Sequence, residues 1–148
     1  MIYLASPHSH RDPAVRQRRF EHACLATAAI LRAGRLVFSP IAHSHHLPVA
    51  DGRGWEFWRD LDWWFIRRCS FLWVLQLDGW RESVGVQAEI DLAAECDKPM
   101  QCFTLQQILD GEFISCPDER ILFRLGLCLP MEKTGVPRKE TVPPQCRR

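Results

Sequence analysis

Four short, mainly apolar runs punctuate the first two thirds of the chain: Ile2 to Ser6, Arg35 to Ser39, Phe71 to Leu77 and Met100 to Phe103. Helical patterns separate them. A strand that is apolar on both faces has to be covered on both faces, and strands alternating with helices define a parallel sheet. Right-handed crossovers then give a small doubly wound, flavodoxin-like α/β fold with helices on each side. This expectation constrains everything that follows, because ligands of open parallel sheets bind at the carboxyl ends of the strands.

The helices carry their own punctuation. Asp12-Pro13 is an N-cap followed by proline at the first helical position. Phe20, Ala23, Thr27, Ile30 and Leu31 then recur at helical spacing until Gly34, so the pattern predicts a helix over 13–33. Residues 40–53 hold three histidines with prolines and glycines and read as a long loop, the kind that often carries function. Trp55 to Arg68 reads as a helix in which Trp55, Phe57, Trp58, Trp63, Trp64 and Phe65 surround the axis. Such a helix is expected to be buried on most sides, which implies a subunit interface besides the core face. A third helix is expected over 84–96, with short ones over Leu105 to Leu109 and Glu119 to Leu127. The α/β domain is expected to occupy residues 1–130. From about Met131 the chain turns rich in Pro, Lys and Arg without periodicity, and 131–148 reads as a flexible tail. No internal repeat is visible.

Composition excludes some function classes. A net charge of +1 offers no broad basic field, so a polymeric nucleic acid is not an expected partner, although a small anion could bind locally. The seven cysteines are odd in number with no C-x-x-C spacing. They read as small buried hydrophobes in a reducing compartment, against a disulfide framework or a cysteine nucleophile. The opening MIYLAS lacks a basic stretch or long apolar run, so neither a signal peptide nor a membrane span is expected, and the cytoplasm is the expected location.

Three segments should converge at the carboxyl edge: Tyr3 to His10, the 39–46 loop, and Leu77 to Glu89. The strongest signal is S-V-G-V-Q-A-E, Ser83 to Glu89. Ser83 stands at an N-cap position, where free amides, the helix dipole and a hydroxyl form an anion site. Gly85 removes a side chain, and Glu89, four residues on, shares its helical face. A carboxylate could thus stand beside a phosphate or sugar; the plainer alternative is a capped helix with a surface glutamate.

These residues carry a resemblance. I-Y-L-A-S-P (Ile2 to Pro7), S-P-I-A-H-S-H (Ser39 to His45) and S-x-G-x-x-x-E (Ser83, Gly85, Glu89) followed by Lys98-Pro99 make residues 1–103 similar to the nucleoside 2-deoxyribosyltransferase superfamily. That superfamily includes the deoxynucleoside monophosphate N-glycosidases, and the chain most resembles its bacterial and phage relatives. The resemblance implies that Glu89 attacks the anomeric carbon of a nucleotide or nucleoside, forming a glycosyl-enzyme resolved by water or a second base. It implies that Tyr3 holds the nucleophile or the sugar, and that Asp62 is the general acid, with Asp60 its rival and Asp78 a further candidate. Ser83 matches a serine that contacts a 5′-phosphate, and Ser6, Ser9 and His10 are expected to complete the cradle. The P-H-S-H-R loop departs from the glycine-rich loop of the characterised glycosidases. No cofactor is implied, and a homodimer or higher homo-oligomer is expected, with Trp55, Trp58 or Trp64 helping it form.

His43, His45 and His46 could instead bind zinc. We read them as a ligand-contacting or solvated loop, with His43 the candidate contact. Two other functions stay open at this point: a non-catalytic nucleotide-binding or sensing module, and a metal-dependent hydrolase built on the histidine loop.

Overall fold

The structure, a computed structural model, describes residues 1–48, 53 and 55–113. The expected short helix at 119–127, Cys116, Cys128, Cys146 and the 131–148 tail lie outside the described residues. The elements run β1 (Ile2–Ala5), α1 (Pro13–Arg32), β2 (Val37–Phe38), α2 (Pro40–Ser44), α3 (Trp55–Arg68), β3 (Phe71–Leu75), α4 (Val84–Glu95), β4 (Met100–Phe103) and α5 (Leu105–Leu109). The four strands form one all-parallel sheet in the order β2-β1-β3-β4. Its register pairs Ile2 with Val37 and with Phe71, and Leu72 with Met100. The expected doubly wound α/β architecture is what the chain adopts.

Two hydrophobic clusters lie on opposite faces of this sheet, as the period of two along a strand requires. Ile2 and Leu4 of β1, with Trp73 and Leu75 of β3, pack against Ala26 and Ile30 of α1 and Ile108 of α5. Tyr3 and Ala5, with Leu72 and Val74, face Ile66 of α3 and Val86 and Ala93 of α4. The apolar runs of β1 and β3 are therefore continuous because these two central strands are buried on both faces.

The helix starts follow their caps. Asp12 accepts from the Ala14 amide, Ser83 from the Val86 amide, and Thr104 closes a capping box with Gln107. Gly34, at φ +78°, lies just past the end of α1, where a left-handed residue is favoured.

Two expectations need correction. The 40–53 stretch does not begin as a loop. Ser39 caps α2 by accepting from the Ala42 amide at 3.3 Å, with Pro40 at the first helical position. The same two signals that start α1 start this helix. Nor is α3 buried on most sides. Of its residues only Asp62 and Ile66 are buried, while Phe57, Leu61, Trp63 and Trp64 stay exposed. Guanidinium groups lie over three of these rings, Arg53 over Phe57, Arg67 over Trp63 and Arg68 over Trp64. Cys69 is buried as expected, but Cys24 and Cys96 are only half-buried and Cys102 is exposed. Among the described residues no helix is long and apolar enough to cross a membrane.

Candidate active site

The strand order places a topological switch point between β1 and β3, where crossovers leave in opposite directions and open a crevice at the carboxyl ends. Three side chains from three elements meet beneath it. Tyr3 points from β1 toward α3 and α4, and its hydroxyl donates to Glu89 Oε1 at 2.7 Å, across 86 residues of sequence. Glu89 sits on α4 and is 6% exposed; Asp62 sits on α3 and is 4% exposed. Asp60, its rival in sequence, is 93% exposed beside Arg59, so helical phase turns one aspartate in and the other out.

Burying two carboxyl groups together disfavours the charged forms. Burial, then the neighbouring Asp62, pushes the Glu89 carboxyl well above its usual range, against the Tyr3 hydrogen bond that lowers it. Burial pushes Asp62 up to about 6, partly offset by the Tyr3 hydroxyl. Burial and the two carboxylates push the Tyr3 phenol up in turn, so it stays protonated and remains a donor. The two carboxyl groups are coupled, each shifted upward, and the charge of Asp62 is among the causes that raise Glu89.

A cleft lies over this cluster, lined by Glu89, Asp62, Trp55, Trp58, His8 and His45, with Arg53, Ser9 and Ser44 also on its wall. Glu89 Oε2, Asp62 Oδ1 and Trp55 Nε1 are buried with no hydrogen-bond partner among the described residues. Buried polar atoms nearly always find a partner, and these three lie together around one cleft. The cleft's volume is about 100 Å³, which suits one sugar- or base-sized group. This is below the ~300–1,000 Å³ of pockets that enclose a whole small molecule.

The other expected site residues divide. Ser9 reaches the cleft wall. Ser6 is buried at the end of β1 with its hydroxyl unpartnered. Ser83 serves as the α4 cap, and Gly85 faces Trp55, whose Cδ1 would lie 3.5 Å from an added Cβ. The space beside Gly85 is thus filled by the indole. Asp78 is not brought to the cluster. β3 ends at Leu75, the turn carries Asp78 to an exposed position in a separate depression, and its carbonyl accepts from Arg19. His10 is exposed and accepts from the Asp12 amide; His43 is exposed against Phe38. Neither lines the cleft; the histidines that do are His8 and His45. Among the described residues no three histidine, cysteine or carboxylate side chains converge to hold a metal.

Sequence reasoning passed over His8, although Pro7-His8 directly follows β1, and weighed His45 only within the histidine cluster, with His43 preferred as the contact; α2 delivers His45 to the cleft. It also missed Arg19. That side chain donates to Ser9 O at 2.8 Å and to Asp78 O at 2.7 Å, tying together the loops that follow β1 and β3.

Fold and site together define a doubly wound α/β domain with a tyrosine-held carboxylate pair in its switch-point crevice. Residues 1–105 match the family model described as Domain of unknown function (DUF1937), and the chain belongs to that family. No curated protein matches the chain.

Proposed function

We propose that this protein cleaves or exchanges the N-glycosidic bond of a nucleotide or nucleoside, in keeping with its resemblance to the nucleoside 2-deoxyribosyltransferase superfamily. The observation that carries the reading is the buried Tyr3–Glu89–Asp62 cluster. One Glu89 oxygen is held by the Tyr3 hydroxyl and the other has no partner among the described residues, which suits it to act as a nucleophile. Asp62, raised to about 6, is poised as a general acid near neutrality.

In this mechanism Glu89 Oε2 bonds to the anomeric carbon while the C–N bond breaks. The electron pair goes to the base nitrogen, which takes the proton of Asp62. Water, or an acceptor base, then attacks the same carbon, giving its proton to Asp62 and releasing the Glu89 carboxylate. The fixed Tyr3 donor orients Glu89 through both steps. No metal or cofactor enters. The volume of the cleft favours enclosure of the sugar or the base alone, with the remainder of the ligand outside it.

The test is product analysis: ribo- and deoxyribonucleoside monophosphates and free nucleosides, with and without an acceptor base, followed by chromatography. Base release that Glu89→Gln abolishes is expected. Absence of release from every member contradicts the proposal.

The exposed face of α3 supports a homo-oligomer. Phe57, Leu61, Trp64 and Arg68 follow at i, i+4, i+7 and i+11, one stripe of the helix. Of the three tryptophans considered, the 47% exposure of Trp64 supports it as the contact residue, whereas Trp55 and Trp58 line the cleft.

A further inference from the structure

A chain of side-chain hydrogen bonds runs from the surface to the cleft, and its direction can be worked out. Gln17 Nε2 donates to Glu21 Oε1 at 2.9 Å, and Gln17 Oε1 lies 3.3 Å from His45 Nε2. A carboxylate only accepts, so the Gln17 amide group faces Glu21 and its carbonyl faces His45. A carbonyl cannot donate, so His45 Nε2 carries the hydrogen. In a neutral ring His45 Nδ1 is then a lone pair. His8 Nε2 stands 2.9 Å from it and must carry the bridging hydrogen. The remaining nitrogen, His8 Nδ1, is left as an acceptor, with no partner among the described residues.

The arrangement is braced. Phe20 stacks on the His45 ring at 4.1 Å and 13°, and His46 abuts both rings. The charged groups around His8 are Arg16 and Arg19, besides the His45 ring. Arg16 donates to His10 O and Arg11 O, and Arg19 to Ser9 O and Asp78 O. Burial first, then these neighbours, lowers His8 to about 4, and burial, His46 and Arg16 lower His45 as well. Both rings are neutral at pH 7. A neutral ring with its lone pair free repels an anion and welcomes a donor.

We propose that His8 determines the specificity of the cleft by accepting, at Nδ1, a hydrogen bond from an N–H or O–H group of the ligand. The proposal rests on the nucleotide reading for its ligand class. There the donor has two sources, an exocyclic base amine or a sugar hydroxyl. It places any phosphate away from the His8–His45 pair.

The experiment has two parts. Long-range ¹H–¹⁵N spectra of the histidine-labelled full chain at pH 7, assigned with His8→Phe and His45→Phe, are expected to show both rings protonated at Nε2 alone. His8 protonated at Nδ1 or at both nitrogens overturns the proposal. Calorimetry on Glu89→Gln then compares 2′-deoxyadenosine 5′-monophosphate with its analogue lacking the 6-amino group and with its analogue lacking the 3′-hydroxyl. Loss of the matching donor is expected to weaken binding about three- to tenfold. That discrimination is expected to vanish when His8→Phe is added, with no net proton uptake in buffers of different ionisation enthalpy. Equal binding of all three probes, or proton uptake showing an anion drawn to an imidazolium, refutes the proposal alone. Failure of every probe to bind refutes the nucleotide reading, and this ligand class with it.

Discussion

Asp62→Asn is expected to stabilise the protein increasingly as pH rises. The folded state raises this carboxyl from 3.8 to about 6, so it binds its proton more tightly than the unfolded chain does. A raised group contributes stability that is fully present below the unfolded value and lost as pH climbs through the folded one. About two pKa units at 1.36 kcal/mol each make this loss about 3 kcal/mol between pH 4 and pH 7. Asparagine keeps the shape and does not titrate. Its amide meets a buried setting where a missing partner costs about 1–3 kcal/mol, but that penalty does not change with pH. The diagnostic quantity is therefore the slope. Urea denaturation of wild type and variant at pH 4, 5, 6, 7 and 8 is expected to show the difference moving toward the variant by about 3 kcal/mol, equivalent to roughly 10 °C in Tm. Glu89 works in the same direction, since removing the Asp62 charge eases its ionisation. A difference that stays constant from pH 4 to pH 8 would refute the claim that the two carboxyl groups are buried together in less than fully charged form.

Tyr3→Phe removes the hydrogen bond to Glu89 Oε1 and is expected to reduce kcat about 10- to 100-fold while raising the acid limb of the pH–rate profile; unchanged kinetics would remove Tyr3 from the site. The wild-type profile is expected to be bell-shaped, both limbs belonging to the pair and displaced upward from ordinary carboxylates, and a single limb near pH 4 would contradict the coupling. Gly85→Ala is expected to fold with stability equal or up to about 1 kcal/mol higher, because the new methyl meets Trp55 at ordinary contact distance and alanine favours the helix; a clear loss by thermal denaturation would show that the indole is held closer. Arg19→Ala frees the Ser9 and Asp78 carbonyls together, and is expected to raise KM several-fold with little change in helix content by circular dichroism.

The fold was legible in the sequence because its signals are local. The central strands β1 and β3 are apolar along their whole length because they are buried on two faces, and the starts of α1, α2, α4 and α5 advertise side-chain caps. The shortening of the second strand from 35–39 to Val37–Phe38 has an equally local cause: it is an edge strand paired only with β1, and Ser39 is already committed as the cap of α2. That helix was misread although Ser39-Pro40 repeats the Asp12-Pro13 signal, since the histidines and prolines after it looked like loop.

The site was legible in part. Helical spacing alone could not choose Asp62 over Asp60, because that choice depends on which face of α3 meets the sheet. Asp78 looked catalytic because it follows a central strand, but the turn after Leu75 diverts it. His8 and His45 become neighbours only when the β1 loop and the end of α2 close on each other, and no periodicity encodes that meeting. The face of α3 is a further case: aromatics on every side gave no sign of which would stay uncovered by the chain itself.

The central claim is that Glu89 becomes covalently bound to the sugar, and peptide mass spectrometry after acid quench tests it most directly. The protein would be mixed with the best substrate from the nucleotide panel, quenched within the first turnovers, digested and mapped. A glycosyl adduct is expected on the peptide holding Glu89 and absent in Glu89→Gln. Base release at full rate with no adduct on Glu89, or release that persists in Glu89→Gln, would contradict it.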